Sequence, residues 1–246
     1  MKKLIIILML LNFFYVYSQT TRVIYKKARY NTETEADKLK NASNPVANSE
    51  MYLKLKKSFE LEFNREFELL YNNTESQFKK IEVMKNDNDK ELLNFEIDNE
   101  IYYKNIETKE KFYFDNSSFD GKYIVELPYD QYKWNITNES KTINGYLCYK
   151  ATTTYEDIYN PITKRKLTIM KEVWFTPSIP SSFGPIGLDG LPGLVLEASI
   201  NNKMYFYASK IEFDVKDAKI EKITEGKKIT LKDVENMLIK IHNDRN

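Results

Sequence analysis

One cysteine and one histidine stand among 246 residues. A lone cysteine excludes an internal disulfide framework, and with a lone histidine it excludes a Cys/His zinc cage and a haem attachment pair. Nucleophilic catalysis would have to join Cys148 to His242. The first lies mid-strand among apolar and aromatic neighbours that raise a thiol pKa, and the second falls in the last turn of a predicted helix, where a solvated imidazole is ordinary. Glycine and proline are nearly as scarce, at seven each, which excludes collagen and Pro/Gly-rich low complexity. Charge of one sign is lacking too: 37 basic residues face 36 acidic ones, so nothing draws the chain to nucleic acid. Asn86-Asp87-Asn88-Asp89-Lys90-Glu91 gathers oxygen ligands but lacks the glycine and distal glutamate of a calcium loop, and reads as a solvated turn. No catalytic residue, metal ligand or cofactor is assigned from the sequence.

Long hydrophobic runs are absent except at the start. Lys2 and Lys3 precede an apolar stretch over 4–11, and Val16-Tyr17-Ser18 supplies a cleavage context, which predicts a signal peptide cut between Ser18 and Gln19. Asn12 interrupts the stretch, which falls short of the roughly 20 residues that span a bilayer, so no transmembrane anchor is expected after cleavage. No cysteine lies near the cut, so no amino-terminal lipid is expected either. The expected address is exported, periplasmic or secreted. Residues 19–246 show no flexible linker and read as one domain.

Aromatic residues are abundant, with 18 Tyr and 14 Phe. Spread along the chain, they suit strand formation as well as ligand stacking. Phe59, Leu61 and Phe63 alternate with polar residues; 101–103 and 111–114 are strand-like; further strands are predicted over 122–127, 132–137, 145–155, 167–175, 194–200 and 204–215. Asp120-Gly121, Asn144-Gly145, Asn160-Pro161 and Asn201-Asn202 supply the turns between them. Cys148 is expected to be buried on its strand. Weak helical patterns occupy 34–42 and 49–57. A clear one follows Thr230, which can cap a helix whose Leu231, Val234, Leu238 and Ile241 share a face that should dock on the sheet. The predicted fold is mainly β: a single-domain antiparallel meander forming a curved sheet, half-barrel or barrel, with a carboxyl-terminal amphipathic helix.

The scarce glycines and prolines are concentrated. Pro177, Pro180, Gly184, Pro185, Gly187, Gly190, Pro192 and Gly193 account for eight of the fourteen. Ile179, Phe183, Ile186, Leu188 and Leu191 thread through them, so the connection is stiff and apolar and must pack against something. Leu191-Pro192-Gly193-Leu194 predicts a type II turn with positive φ at Gly193. Gly190-Leu191-Pro192-Gly193-Leu194-Val195 resembles the motif of the GLPGLI family of exported Bacteroidota proteins, with Val195 where the family name has isoleucine. Trp174-Phe175-Thr176-Pro177, Ile179-Pro180, Gly184-Pro185 and the stretch Asn144-Gly145-Tyr146-Leu147-Cys148-Tyr149-Lys150-Ala151 are also similar. The resemblance covers about residues 144–200, implies export, and brings no established enzymatic activity or catalytic residues.

For the connection over 177–193, a packed closure of the sheet end competes with a lid or docking surface. The docking reading places a ligand or partner surface at Trp174, Phe175, Phe183, Ile186 and Leu188, with an apolar ligand, a peptide or an envelope protein as partner. A structural or assembly component is the second function class. A carboxylate-based hydrolase of envelope glycan or peptide is the third, and no motif supports it.

Overall fold

A computed structural model of the chain describes residues 19–30, 57, 63–82, 99–116, 118–200 and 204–244. The predicted leader, the weak helices over 34–42 and 49–57 save Lys57, and the Asn86–Glu91 and Asn201–Asn202 turns lie outside the described residues. Twelve strands are described: β1 (Thr21–Arg29), β2 (Glu66–Tyr71), β3 (Glu75–Lys80), β4 (Ile101–Asn105), β5 (Glu110–Asp115), β6 (Tyr123–Glu126), β7 (Asn135–Ile143), β8 (Tyr146–Glu156), β9 (Thr168–Thr176), β10 (Leu194–Ser199), β11 (Met204–Glu212) and β12 (Lys227–Thr230). The helix α1 (Leu231–Asp244) follows β12 directly.

All twelve strands join one sheet in the order β12-β6-β5-β4-β3-β2-β1-β11-β10-β9-β8-β7. Two antiparallel meanders, β1 to β6 and β7 to β11, are sewn together by β1 pairing with β11. The Asn144-Gly145 hairpin behaves as expected, both residues taking positive φ of 51° and 81°, the pattern that matches strand twist in a two-residue turn. Cys148 is fully buried on β8, and burial pushes its thiol up to about 11.

Covalent reach forces the sheet to curl. β6 and β7 stand ten strand positions apart, which in a flat sheet is about 48 Å at ~4.8 Å per strand. Eight residues, 127–134, connect them and extend to roughly 30 Å at most. The chain therefore crosses the mouth of an open half-barrel as a strap. Its two edge strands, β12 and β7, are not paired with each other, so the sheet does not close.

The core fills the concavity. Val23 and Tyr25 of β1, Phe67 and Leu69 of β2, Phe78 of β3 and Phe206 of β11 form its centre, with Phe67 and Phe78 stacked at 5.8 Å. Tyr25 pairs with Ala208, and that small neighbour lets its ring reach across β11 to donate to the Val195 carbonyl at 2.5 Å. Val195 borders a bulge in β10, where Leu194, Val195 and Leu196 are all fully buried, which is why that strand is apolar throughout. On the other face Tyr103, Phe112, Phe114 and Ile124 are covered by Ile220 and Ile223.

Three strand bounds need correction, and one pair in the mainly antiparallel meander is parallel: the connection over 213–226 crosses that outer face, held by Gln77 Nε2 donating to the Glu221 carbonyl, and delivers β12 parallel to β6. Parallel pairing needs such a long crossover. Of the strand expected at Phe59, Leu61 and Phe63, the first two lie outside the described residues and Phe63 is helical; the pairing of β1 with β2 ends at Lys26 and Glu66. Tyr132, Lys133 and Trp134 belong to the strap, and β7 begins at Asn135. The segment over 204–215 leaves strand geometry after Glu212. At the carboxyl end α1 starts as predicted: Thr230 Oγ1 accepts from Asp233 N at 3.2 Å while Asp233 accepts from Thr230 N at 2.8 Å, a reciprocal cap. Val234 packs with Val125 and Ile229, docking the helix on the sheet.

Buried phenols set the alkaline limit of the fold. Burial, with the Glu75 carboxylate beside it, pushes Tyr103 up to about 12, and burial plus Asp157 does the same for Tyr155. These phenols hold their protons to higher pH in the folded than in the unfolded chain. Their contribution to stability is therefore intact below the usual pKa of 10.0 and lost as pH rises toward 12. Urea midpoints should fall across that window in step with tyrosinate absorbance, and Tyr155→Phe should blunt the fall.

Candidate functional site

The connection over 177–193 folds back against the sheet instead of looping away. Leu194 N donates to the Ile179 carbonyl at 3.1 Å and Gly190 N to the Ser182 carbonyl at 2.8 Å, so the two ends of the loop are laced together. Between them a single tight turn, Pro185–Gly187, carries Ile186 at φ 48°, a left-handed conformation that a β-branched residue rarely adopts. Gly187 and Gly190 also take positive φ, of 69° and 91°. The predicted type II turn is not formed, since Gly193 is not among the positive-φ glycines. Glycine is needed at 193 for room: a Cβ there would sit 2.2 Å from the Thr176 carbonyl oxygen.

This turn inserts Asp189 into the half-barrel, where it is 5% exposed. Its Oδ1 accepts from Lys104 Nζ of β4 at 2.6 Å, and Lys111 Nζ of β5 stands 3.1 Å from Oδ2 while donating to the Gly187 carbonyl at 3.0 Å. The Asp189 carbonyl accepts from Trp134 Nε1 at 2.8 Å. Tyr129 and Tyr132 of the strap place their rings 4.3 Å from Lys104 Nζ and 4.7 Å from Lys111 Nζ. One residue thus ties the loop between β9 and β10 to β4, to β5 and to the strap. Burial pushes the Lys111 ammonium below its usual range, opposed by the Asp189 charge. A lysine so tuned suggests a nucleophile, but the neighbouring cavity measures about 10 Å³, room for about one water and no substrate. The cluster is a structural pin.

The outer side of the same loop walls an open cleft of about 800 Å³. Pro177, Pro180 and Pro192 are exposed along one wall, and Phe213 and Asp214, just past β11, form the other. The Asn72-Asn73 turn between β2 and β3 also lines it, as do the buried rings of Phe183 and Tyr71, with centroids 5.8 Å apart. The volume falls in the range of small-molecule sites, and the lining mixes apolar walls with amide and hydroxyl groups.

The five residues expected to form one binding surface are dispersed. Phe175 and Leu188 are buried together with Val195 and Ala151, and Phe183 is a core residue that lines the cleft. Ile186 is half-buried where the two core clusters meet. Trp174 points to the opposite face, with Lys141 Nζ 4.4 Å and Lys150 Nζ 5.9 Å from its ring. The reason is register: Phe175 pairs with Tyr149 and Val195, and its sequence neighbour must face the other way. The motif residues anchor the loop: Leu191, Gly193, Leu194 and Val195 are buried while Gly190 and Pro192 are exposed. Sequence reasoning missed Phe213 and Asp214, which it placed inside a strand, and Asn72-Asn73, whose turn chemistry was there to be found between two unmarked strands.

A hydrolase of the paired-carboxylate type needs two acids converging on one cleft, and among the described residues Asp214 is the one carboxylate lining this one. Among the described residues no group of three or more His, Cys, Asp or Glu could hold a metal, and no helix is long and apolar enough to cross a membrane.

Residues 134–197 match a family model described as a protein of unknown function (Porph_ging). The match runs from the end of the strap through the loop into β10. No curated protein matches the chain. Solved structures of PNGF-II in the P21 and C2 space groups share the fold, with TM-scores of 0.52 and 0.51 at 17% and 14% identity. Each alignment covers 90% of this chain and 33% of that one, so this chain spans about a third of PNGF-II.

Removing the pin's carboxylate should be costly. Asp189→Asn strands two buried ammoniums and is expected to lower unfolding free energy by about 3–5 kcal/mol in urea titrations. Replacing the whole cluster (Lys104→Met, Lys111→Met, Asp189→Leu) should cost far less, and a mild single variant would refute the pin. Gly193→Ala should cost about 3 kcal/mol or more from overpacking. Gly145→Ala, whose Cβ meets nothing within 4 Å, should lose only about 1 kcal/mol to its left-handed backbone.

Proposed function

We propose that this protein is an exported, non-enzymatic binding module of GLPGLI type, whose ligand occupies the cleft between the proline wall of the loop and Phe213. The carrying observation is that a cleft of about 800 Å³ is walled by a loop that is itself pinned to the core. Binding sites gain from such rigidity, because little ordering entropy is lost when the ligand arrives. The signal-like start supports export, and the family match over 134–197, which contains the 190–195 motif, supports the GLPGLI-type reading. The mixed lining favours an amphipathic ligand or a peptide segment over a purely apolar one. The address is periplasmic or secreted, without a lipid anchor.

Titration with the neutral apolar dye Nile red tests the cleft. Phe213→Ala removes the exposed ring of one wall and should weaken binding about tenfold, the loss of one largely buried aromatic contact. Trp174→Ala, on the opposite face, should leave affinity unchanged. Equal affinities for the wild type and Phe213→Ala would remove the cleft as the site.

A further inference from the structure

The cleft also carries a charge signature. Among the described residues Asp214 is the one carboxylate in its lining, and no lysine or arginine side chain lines it. Lysines of the concavity are committed elsewhere: Lys104 and Lys111 to Asp189, Lys171 to the Ile200 carbonyl, and Lys27 over the Phe67 and Phe206 rings. Asp214 is exposed and takes φ 57°, a left-handed conformation that ends β11 and that aspartate tolerates better than most residues. Its carboxylate enters no ion pair or hydrogen bond among the described residues. The neighbouring carboxylate Glu212 is, in contrast, already paired with Arg22 and Lys210.

We propose that the cleft selects a cationic amphipath: a ligand with an apolar body against Phe213 and the prolines and a positively charged group at Asp214. This rests on the cleft reading above and names its ligand class. Among the described side chains an anionic ligand would meet the Asp214 carboxylate and no compensating cation. One local competitor exists. Val215 N donates to the Thr20 carbonyl at 2.9 Å, and Gln19 lines the same cleft as Asp214. Cleavage after Ser18 therefore adds an α-ammonium at the same rim, so binding is compared with that amine free and acetylated.

Fluorescence titration of the mature protein with two dansyl probes, dansylcadaverine bearing an ammonium and dansyl-aminocaproate bearing a carboxylate, tests this. The acetylated protein should bind the ammonium probe about fivefold more tightly, the scale of an exposed ion pair. The preference should shrink with the free amine and at high salt. Asp214→Asn should bring the two affinities together. Equal or tighter binding of the carboxylate probe by the acetylated protein, or a preference that survives Asp214→Asn, overturns the inference. If Phe213→Ala weakens both probes while no charge preference is seen, the cleft stands and only the ligand class falls. If it weakens neither, both readings fall.

Discussion

Asp189 and the two ammoniums it holds, Lys104 and Lys111, bridge the mouth of a curved sheet. The lysines belong to β4 and β5 in one half of the half-barrel, and the aspartate to a loop between β9 and β10 in the other. Burying three charges gives little net stability against an apolar alternative, because desolvation offsets most of the attraction. What the pair gives is a single way to dock. An apolar plug could slide by a residue and still be buried, whereas a carboxylate between two lysines has one satisfactory position. Trp134 adds the strap to the same point through the Asp189 carbonyl.

That docking makes the loop a wall. Its inner residues, Leu188 and Leu191, are buried among Phe175 and Val195, and its outer prolines face the cleft. The prolines of this loop restrict its unfolded backbone and so lower the entropy lost on docking, whereas its glycines raise that loss. Its strained point, Ile186, is held because Leu188 and Asp189 follow it into the interior. Core packing and the proposed binding surface are two sides of one connection, and the 190–195 motif belongs to the packing side.

The class of fold was legible because its causes are local. Alternation marked β4, β5 and β8, Asn144-Gly145 marked its hairpin, and Thr230 with Asp233 marked the start of α1. The order of strands was not, because it depends on the reach of the 127–134 strap and on β1 meeting β11, neither of which has a periodic signal. Tyr132 and Trp134 read as strand residues because their composition is strand-like, and only the sheet's curvature assigns them to a crossing. Glycine at 193 was read as a φ requirement when it answers a steric one, since a missing Cβ serves either purpose in sequence. The importance of the loop was visible in its composition; which side chains faced outward was not, because left-handed residues at 186, 187 and 190 break any regular alternation of inside and outside.

The central position of β1 bears on how the molecule is made. Residues 21–29 pair with 66–71 on one side and with 204–212 on the other, so the second seam closes only when most of the chain is present. Contacts of such long separation form slowly and late. Until they do, the first meander presents β1 as a bare edge bearing Val23 and Tyr25, a surface prone to pair with other chains. A polypeptide assembled from its amino end spends most of its synthesis, or of any passage through a narrow channel, without its central seam. The design postpones folding to the last strands and makes the newborn chain a natural client for whatever shields unpaired strands along its route.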